Sequence, residues 1–202
     1  VLFRSAMSAR LNFSAGRASF SLRWEFLTGV RPECFEIDEK LITTLQERGF
    51  LAHPNLDSIA EFDVVFSSNV LEHIEEDVSV LQDLNKKIKR GGYIALHVPA
   101  FQCLYSYFDF SVGHYRRYHK RELIRKLEES GFYVDKAYYS DCIGFFAWGV
   151  IKILSALLKK KPNISYGFSA YDKYFYPISI FLDGIGFRFL FGKNLIVIAK
   201  KI

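Results

Sequence analysis

The sequence predicts an α/β fold built on a doubly wound, mainly parallel sheet. Three observations carry this expectation. Short apolar runs alternate with amphipathic helical stretches along the chain. One run, "FDVVFSSN" at 62–69, is apolar almost throughout, as a strand covered on both faces must be. Half of the 202 residues are apolar and 24% are charged, which suits one core-forming domain over 1–202 and excludes a disordered or fibrous chain.

Each element can be justified in order. "LNFSAGRASF" at 11–20 reads as a strand entering a loop and then a helix. "ECFEID" at 33–38 is a short buried strand, and "EKLITTLQERG" follows with Leu41, Ile42 and Leu45 at helical spacing and Gly49 as the stop. After the central strand comes a helix over 77–90, with Asp77 as its expected cap and a basic last turn that suits the helix dipole. Gly91 and Gly92 are expected to turn the chain into a strand at 93–99. A helix at 119–131, a strand at 132–139 and a closing strand at 193–201 complete the alternation. Between the last two strands lies an apolar, aromatic insertion over 142–191. Its first part, 142–158, is apolar except for Lys152 and shorter than the roughly 20 residues a spanning helix needs. Pro177 is expected to break any single helix in the second part.

Composition limits the function classes. Cys34, Cys103 and Cys142 are far apart and odd in number, so neither a disulfide framework nor a zinc site is expected, and a cytoplasmic setting is. The net charge of +5 permits an anionic partner without choosing among phosphate, nucleic acid and a membrane surface. Residues 1–5, "VLFRS", read as an in-frame translation of a common sequencing adapter, so native sequence is expected to be missing before residue 6.

Four segments, in order and at matching spacing, resemble the class I S-adenosylmethionine-dependent methyltransferases, most closely the small bacterial type-11/12 group. They are "FDVVFSSNVLEHI", "KKIKRGGYIALHVP", "GHYRRYHKRELIRKLEESGF" and "GKNLIVIAKK". The resemblance implies a Rossmann-like sheet of seven strands with an antiparallel last strand, and S-adenosyl-L-methionine as cofactor. It places the glycine-rich cofactor loop on Asn12, Ser14, Gly16 and Ala18, a degenerate version in which Asn replaces an acid and Ser and Ala replace glycines. Small residues there let the backbone approach a ligand. It also implies that Glu36 holds the ribose hydroxyls and that the backbone near Asn69 meets the cofactor.

Methyl transfer needs an aligned acceptor, and a base where the acceptor is a hydroxyl or amine. "SVGHYRRYHK" at 111–120 supplies candidates: His114 as base or acceptor positioner, Tyr118 as a catalytic hydrogen-bond donor or part of the pocket wall, and Arg116 or Arg117 to fork onto an anionic acceptor, with bracing of the loop against the sheet as the alternative for Arg117 and Tyr118. His97 is expected to be a satisfied core residue. Glu72 and His73 are read as a helix cap and a packing pair. No metal is expected, because Asn69 stands where some quinone-forming relatives carry a further Glu.

The expected activity is methyl transfer to a small or lipid-linked acceptor, in cell-envelope or quinone-type metabolism. The insertion is expected to act as a lid, or to rest on the inner membrane with Lys159, Lys160 and Lys161 at anionic headgroups. The rival reading is a non-catalytic, membrane-associated module of the same fold. A nucleic-acid methyltransferase is not expected: "SSNV" replaces the DPPY or NPPY motif, and no basic stripe interleaved with aromatics stands out.

Overall fold

The computed structural model describes residues 10–13, 19–36, 38–55, 61–158 and 171–202. Its strands are β1 (Arg10–Phe13), β2 (Glu33–Phe35), β3 (Ala52–His53), β4 (Phe62–Ser68), β5 (Ile88–Pro99), β6 (Phe132–Ser140) and β7 (Asn194–Lys201). They form one seven-stranded sheet in the order β3-β2-β1-β4-β5-β7-β6. β1 to β5 pair in parallel, and β7 runs antiparallel to both β5 and β6. The doubly wound fold expected from the alternation of elements is what the chain adopts, with the antiparallel last strand that the resemblance implies. Strand order reverses between β1 and β4, which sets the ligand crevice of such sheets at the carboxyl ends of those strands.

The helices are α1 (Ser19–Thr28), α2 (Glu39–Glu47), α3 (Asp77–Lys87), α4 (Tyr107–Ser111), α5 (Lys120–Glu129), α6 (Cys142–Leu158) and α7 (Tyr176–Gly184). Leu81 and Leu84 of α3 and Leu123 and Leu127 of α5 are buried in one core with Val65, Ile94, Leu96 and Val197 of the sheet. Burial of one such side chain is worth about 1.5–3 kcal/mol.

Two local expectations change. Helix α3 stops at Lys87, and the turn foreseen at Gly91–Gly92 lies inside β5, because Ile88 already pairs with Phe62 of β4 across an irregular stretch of ladder. Gly92 permits that close approach: a Cβ there would stand 2.7 Å from the Asp63 carbonyl oxygen. Asp77 does not cap α3. Its Oδ2 accepts from the Tyr118 hydroxyl (2.9 Å) and Lys126 Nζ (2.6 Å).

The insertion contributes α6, a π-helical turn at Tyr171–Phe175 and α7, with Pro177 in the first turn of α7, where a missing N–H costs nothing. Side chains of α7 satisfy the amino end of α6. Asp183 accepts from the amides of Asp141 (2.7 Å) and Cys142 (3.3 Å), and Ser179 Oγ accepts from that of Ile143 (3.1 Å). Anionic groups are favourable at that pole of the helix dipole. Lys159, Lys160 and Lys161 lie outside the described residues.

Candidate active site

A cleft of about 840 Å³ opens at the carboxyl ends of β4 and β5. Ser67, Ser68 and Asn69 form one wall, and Trp24 of α1 stacks on Phe66 beside them with ring centroids 4.8 Å apart. Asn69 adopts a left-handed φ of 54°, a conformation that Asn tolerates better than most residues, and its amide donates to the His97 carbonyl. At the other end stand Phe108 of α4 and, from the insertion, Trp148, Tyr171 and Tyr176.

His114 enters this cleft on the loop after α4. Its Nδ1 lies 3.0 Å from Oδ1 of Asp109. An ionised Asp109 only accepts, so Nδ1 carries the hydrogen and Nε2 is left with its lone pair. Nε2 sits 3.9 Å from Glu72 Oε1. Asp109 is wholly buried, and burial alone would raise its pKa. The His114 hydrogen bond, the Arg117 guanidinium and the Ser106 amide outweigh that and hold its carboxyl below the usual range. Ser106 donates to Oδ2 through both its amide (2.9 Å) and its hydroxyl (3.0 Å), closing a capping box on α4. The loop is fastened further where the Tyr105 hydroxyl donates to the His114 carbonyl at 2.6 Å.

Glu72 faces the same space. It is fully buried, and neither carboxylate oxygen has a hydrogen-bond partner among the described residues. It therefore caps nothing. Burial pushes its carboxyl up to about 7. Ligand atoms of Glu72, His73 and His114 lie within 4.8 Å of one another, a convergence that the reading of Glu72 and His73 as a cap and packing pair did not foresee. His97 also lines the cleft rather than sitting in the core. Burial and then the charge of Lys193 hold its imidazole down to about 4, and its Nδ1 pairs with Ser68 Oγ.

The raised carboxyl of Glu72 has a thermodynamic consequence. The folded chain binds this proton more tightly than the unfolded chain, so stability falls as pH rises from about 4.5 to about 7. Glu72→Gln should remove that slope and be more stable than the parent above pH 7, by up to about 3 kcal/mol. Parallel melting curves of the two proteins across this window would refute the assignment.

Three expected site residues need correcting. Tyr118 is fully buried, donates to the Leu71 carbonyl (3.1 Å) and to Asp77, and does not line the cleft; its phenol, pushed far up by burial and Asp77, is a structural brace. Arg116 points away from the cleft, onto the Glu75 carbonyl (2.7 Å) and Asp77 (3.0 Å). Arg117 does reach the cleft wall, but its guanidinium is engaged by Asp109 (2.8 Å) and the Ala100 carbonyl (3.3 Å). It orders the loop rather than offering a fork to an acceptor.

On the cofactor side, Glu36 is buried at the carboxyl end of β2, where its carboxylate accepts from the Asp38 amide at 3.3 Å. Asp38 is spent as the N-cap of α2, accepting from the amides of Lys40 and Leu41. Ser14, Gly16 and Ala18 lie outside the described residues. The sequence reading also missed Asp141. This buried residue, just after β6, lines the cleft and binds Lys193 Nζ (3.1 Å) and the Tyr171 hydroxyl.

Comparison with known proteins places this geometry. Residues 32–96 match the family model described as "Methyltransferase domain". That match spans β2 to β5 and includes both Glu36 and Asn69. The chain carries a segment similar to the methyltransferase-domain family and has the fold of the S-adenosylmethionine-dependent methyltransferases. No curated protein matches it significantly in sequence. Among solved structures, a S-adenosylmethionine-dependent methyltransferase from Archaeoglobus fulgidus superposes with a TM-score of 0.64 at 20% identity, over 99% of this chain and 89% of its own. One from Mesorhizobium loti does so at 0.62 and 13% identity, over 97% and 91%. A magnesium protoporphyrin IX methyltransferase from Synechocystis, solved with bound S-adenosylhomocysteine, gives 0.58 at 12% identity, over 96% and 74%. At these identities the likeness is one of fold. The residues at the strand ends fit S-adenosylmethionine: Glu36 supplies a buried carboxylate just after β2, and Trp24 and Phe66 give the cleft an aromatic wall.

Proposed function

We propose that this chain is an S-adenosylmethionine-dependent methyltransferase that acts on a hydroxyl or amine of a small apolar or lipid-linked acceptor, with His114 as the general base. One observation carries the reading: Asp109 fixes His114 so that Nε2, not Nδ1, addresses the cleft. When bound, S-adenosylmethionine supplies an electrophilic methyl group on a sulfonium. Glu36, Asn69 and the loop bearing Ser14, Gly16 and Ala18 are the residues assigned to hold it. His114 Nε2 takes the proton of the acceptor, and Asp109 stabilises the imidazolium that results. The aromatic wall of Phe108, Trp148, Tyr171 and Tyr176 supports an apolar acceptor and keeps water from the reacting atoms.

Calorimetric titration with S-adenosylhomocysteine tests the cofactor half without needing the acceptor. Glu36→Ala should weaken binding about ten- to a hundredfold, because charge-assisted hydrogen bonds to the ribose are lost. Asp38→Ala should leave affinity nearly unchanged and cost about 1 kcal/mol of stability through the lost cap of α2. The opposite order of affinities would move the ribose contact to Asp38, and no binding by the parent would leave a non-catalytic module of this fold.

A further inference from the structure

The insertion carries an apolar surface that neither the sheet nor the cleft uses. On α6, Phe146, Val150, Ile153 and Leu157 follow one another at helical spacing and are all exposed, Leu157 by 74%. On α7, which packs against α6, Ile178 and Phe181 are exposed as well. A soluble monomer rarely shows this much contiguous apolar surface without a partner for it.

Charge identifies the partner. Segment 142–193 holds seven Lys and Arg but only two Asp, so its excess of five equals the net charge of the entire chain, and the remainder is balanced. A second copy would bring two such cationic segments together, which disfavours self-association. An apolar helical face in a segment this rich in lysine matches an anionic interface instead. No helix among the described residues is long and apolar enough to cross a membrane, so the contact would lie in the plane of the interface.

We infer that the outer face of α6 and α7 docks this methyltransferase on an anionic lipid bilayer. The inner side of the same helices carries Trp148 and Tyr176, which wall the acceptor end of the cleft. Docking therefore holds that end of the cleft one helix layer from the bilayer, close to a lipid-linked acceptor. The inference rests on the reading of the cleft as an acceptor site for its purpose, but lipid binding itself requires neither cofactor nor turnover.

Co-sedimentation with vesicles tests it. The full chain should bind vesicles of phosphatidylglycerol mixed with phosphatidylcholine and show little binding to phosphatidylcholine alone. I153D/L157D/F181D should lose more than tenfold of that binding. K159E/K160E/K161E should lose about a hundredfold or more, as three basic contacts turn repulsive. S-adenosylhomocysteine titration of the same samples reports separately on the cofactor site, so failure of one reading is distinct from failure of the other. If the aspartate variant does not fold, the lysine variant decides. Equal binding to both vesicle types, binding that survives the lysine reversals, or no binding at all would overturn the inference. So would a dimer, seen by analytical ultracentrifugation, that I153D/L157D/F181D breaks and that does not bind lipid.

Discussion

His114→Ala should slow methyl transfer by about 10²–10⁴-fold while leaving affinity for S-adenosylhomocysteine within about twofold of the parent. The separation matters because His114 lines the cleft on the loop after α4, whereas Glu36, at the end of β2, is not among the residues that line it. Asp109→Asn tests the orientation of the base. An amide side chain can donate to Nδ1, which would place the hydrogen on Nε2 and present the cleft with a donor in place of a lone pair. Its rate should fall nearly as far as that of His114→Ala, and the double variant should be little slower than either single one, since the two residues act as a unit. Rates are read as transfer of labelled methyl into the organic-extractable acceptor. A His114→Ala enzyme within a few fold of the parent rate would remove the base from the mechanism.

The fold was legible because its signals are local. The continuous apolar run of β4 and the 3.6-residue periodicity of α2 and α5 follow from burial on two faces or on one stripe. The errors came from interactions distant in sequence. Asp77 has the position of a cap, but Tyr118, Lys126 and Arg116 claim its carboxylate from the far side of the core. Tyr118 and Arg117 have the chemistry of site residues, and nothing in a stretch such as "GHYRRYHK" separates an inward side chain from one facing a cleft. Asp109 was overlooked in an aromatic context, "SYFDFS", although Ser106 and Asp109 have the spacing of a capping box. Its partnership with His114 exists only once the loop is closed. Glu72 shows the same limit: adjacent Glu and His suggest local roles, while His114, which makes the cluster, arrives from another loop.

Arg117→Met should be the most destabilising single change near the site, at about 3–5 kcal/mol. Arg117 and Asp109 are both buried, and the guanidinium reaches Asp109 through Nε and Nη2, each at 2.8 Å, with Nη1 on the Ala100 carbonyl. Removing the cation leaves a buried carboxylate supported by His114 and Ser106 alone, and frees the loop from the end of β5. For a chain of this length the loss corresponds to a fall of about 10 °C in melting temperature. Arg117→Lys should recover part of it, since an ammonium restores the charge but not the fork. Replacing both partners, as in D109L/R117M, should recover much of the stability because no unpaired charge remains buried. That double variant should nevertheless stay as slow as His114→Ala, because the imidazole has lost the carboxylate that aims it. Recovery of rate together with stability would show that Asp109 and Arg117 merely hold the loop. An Arg117→Met protein melting within about 2 °C of the parent would show that the buried pair contributes little to the fold.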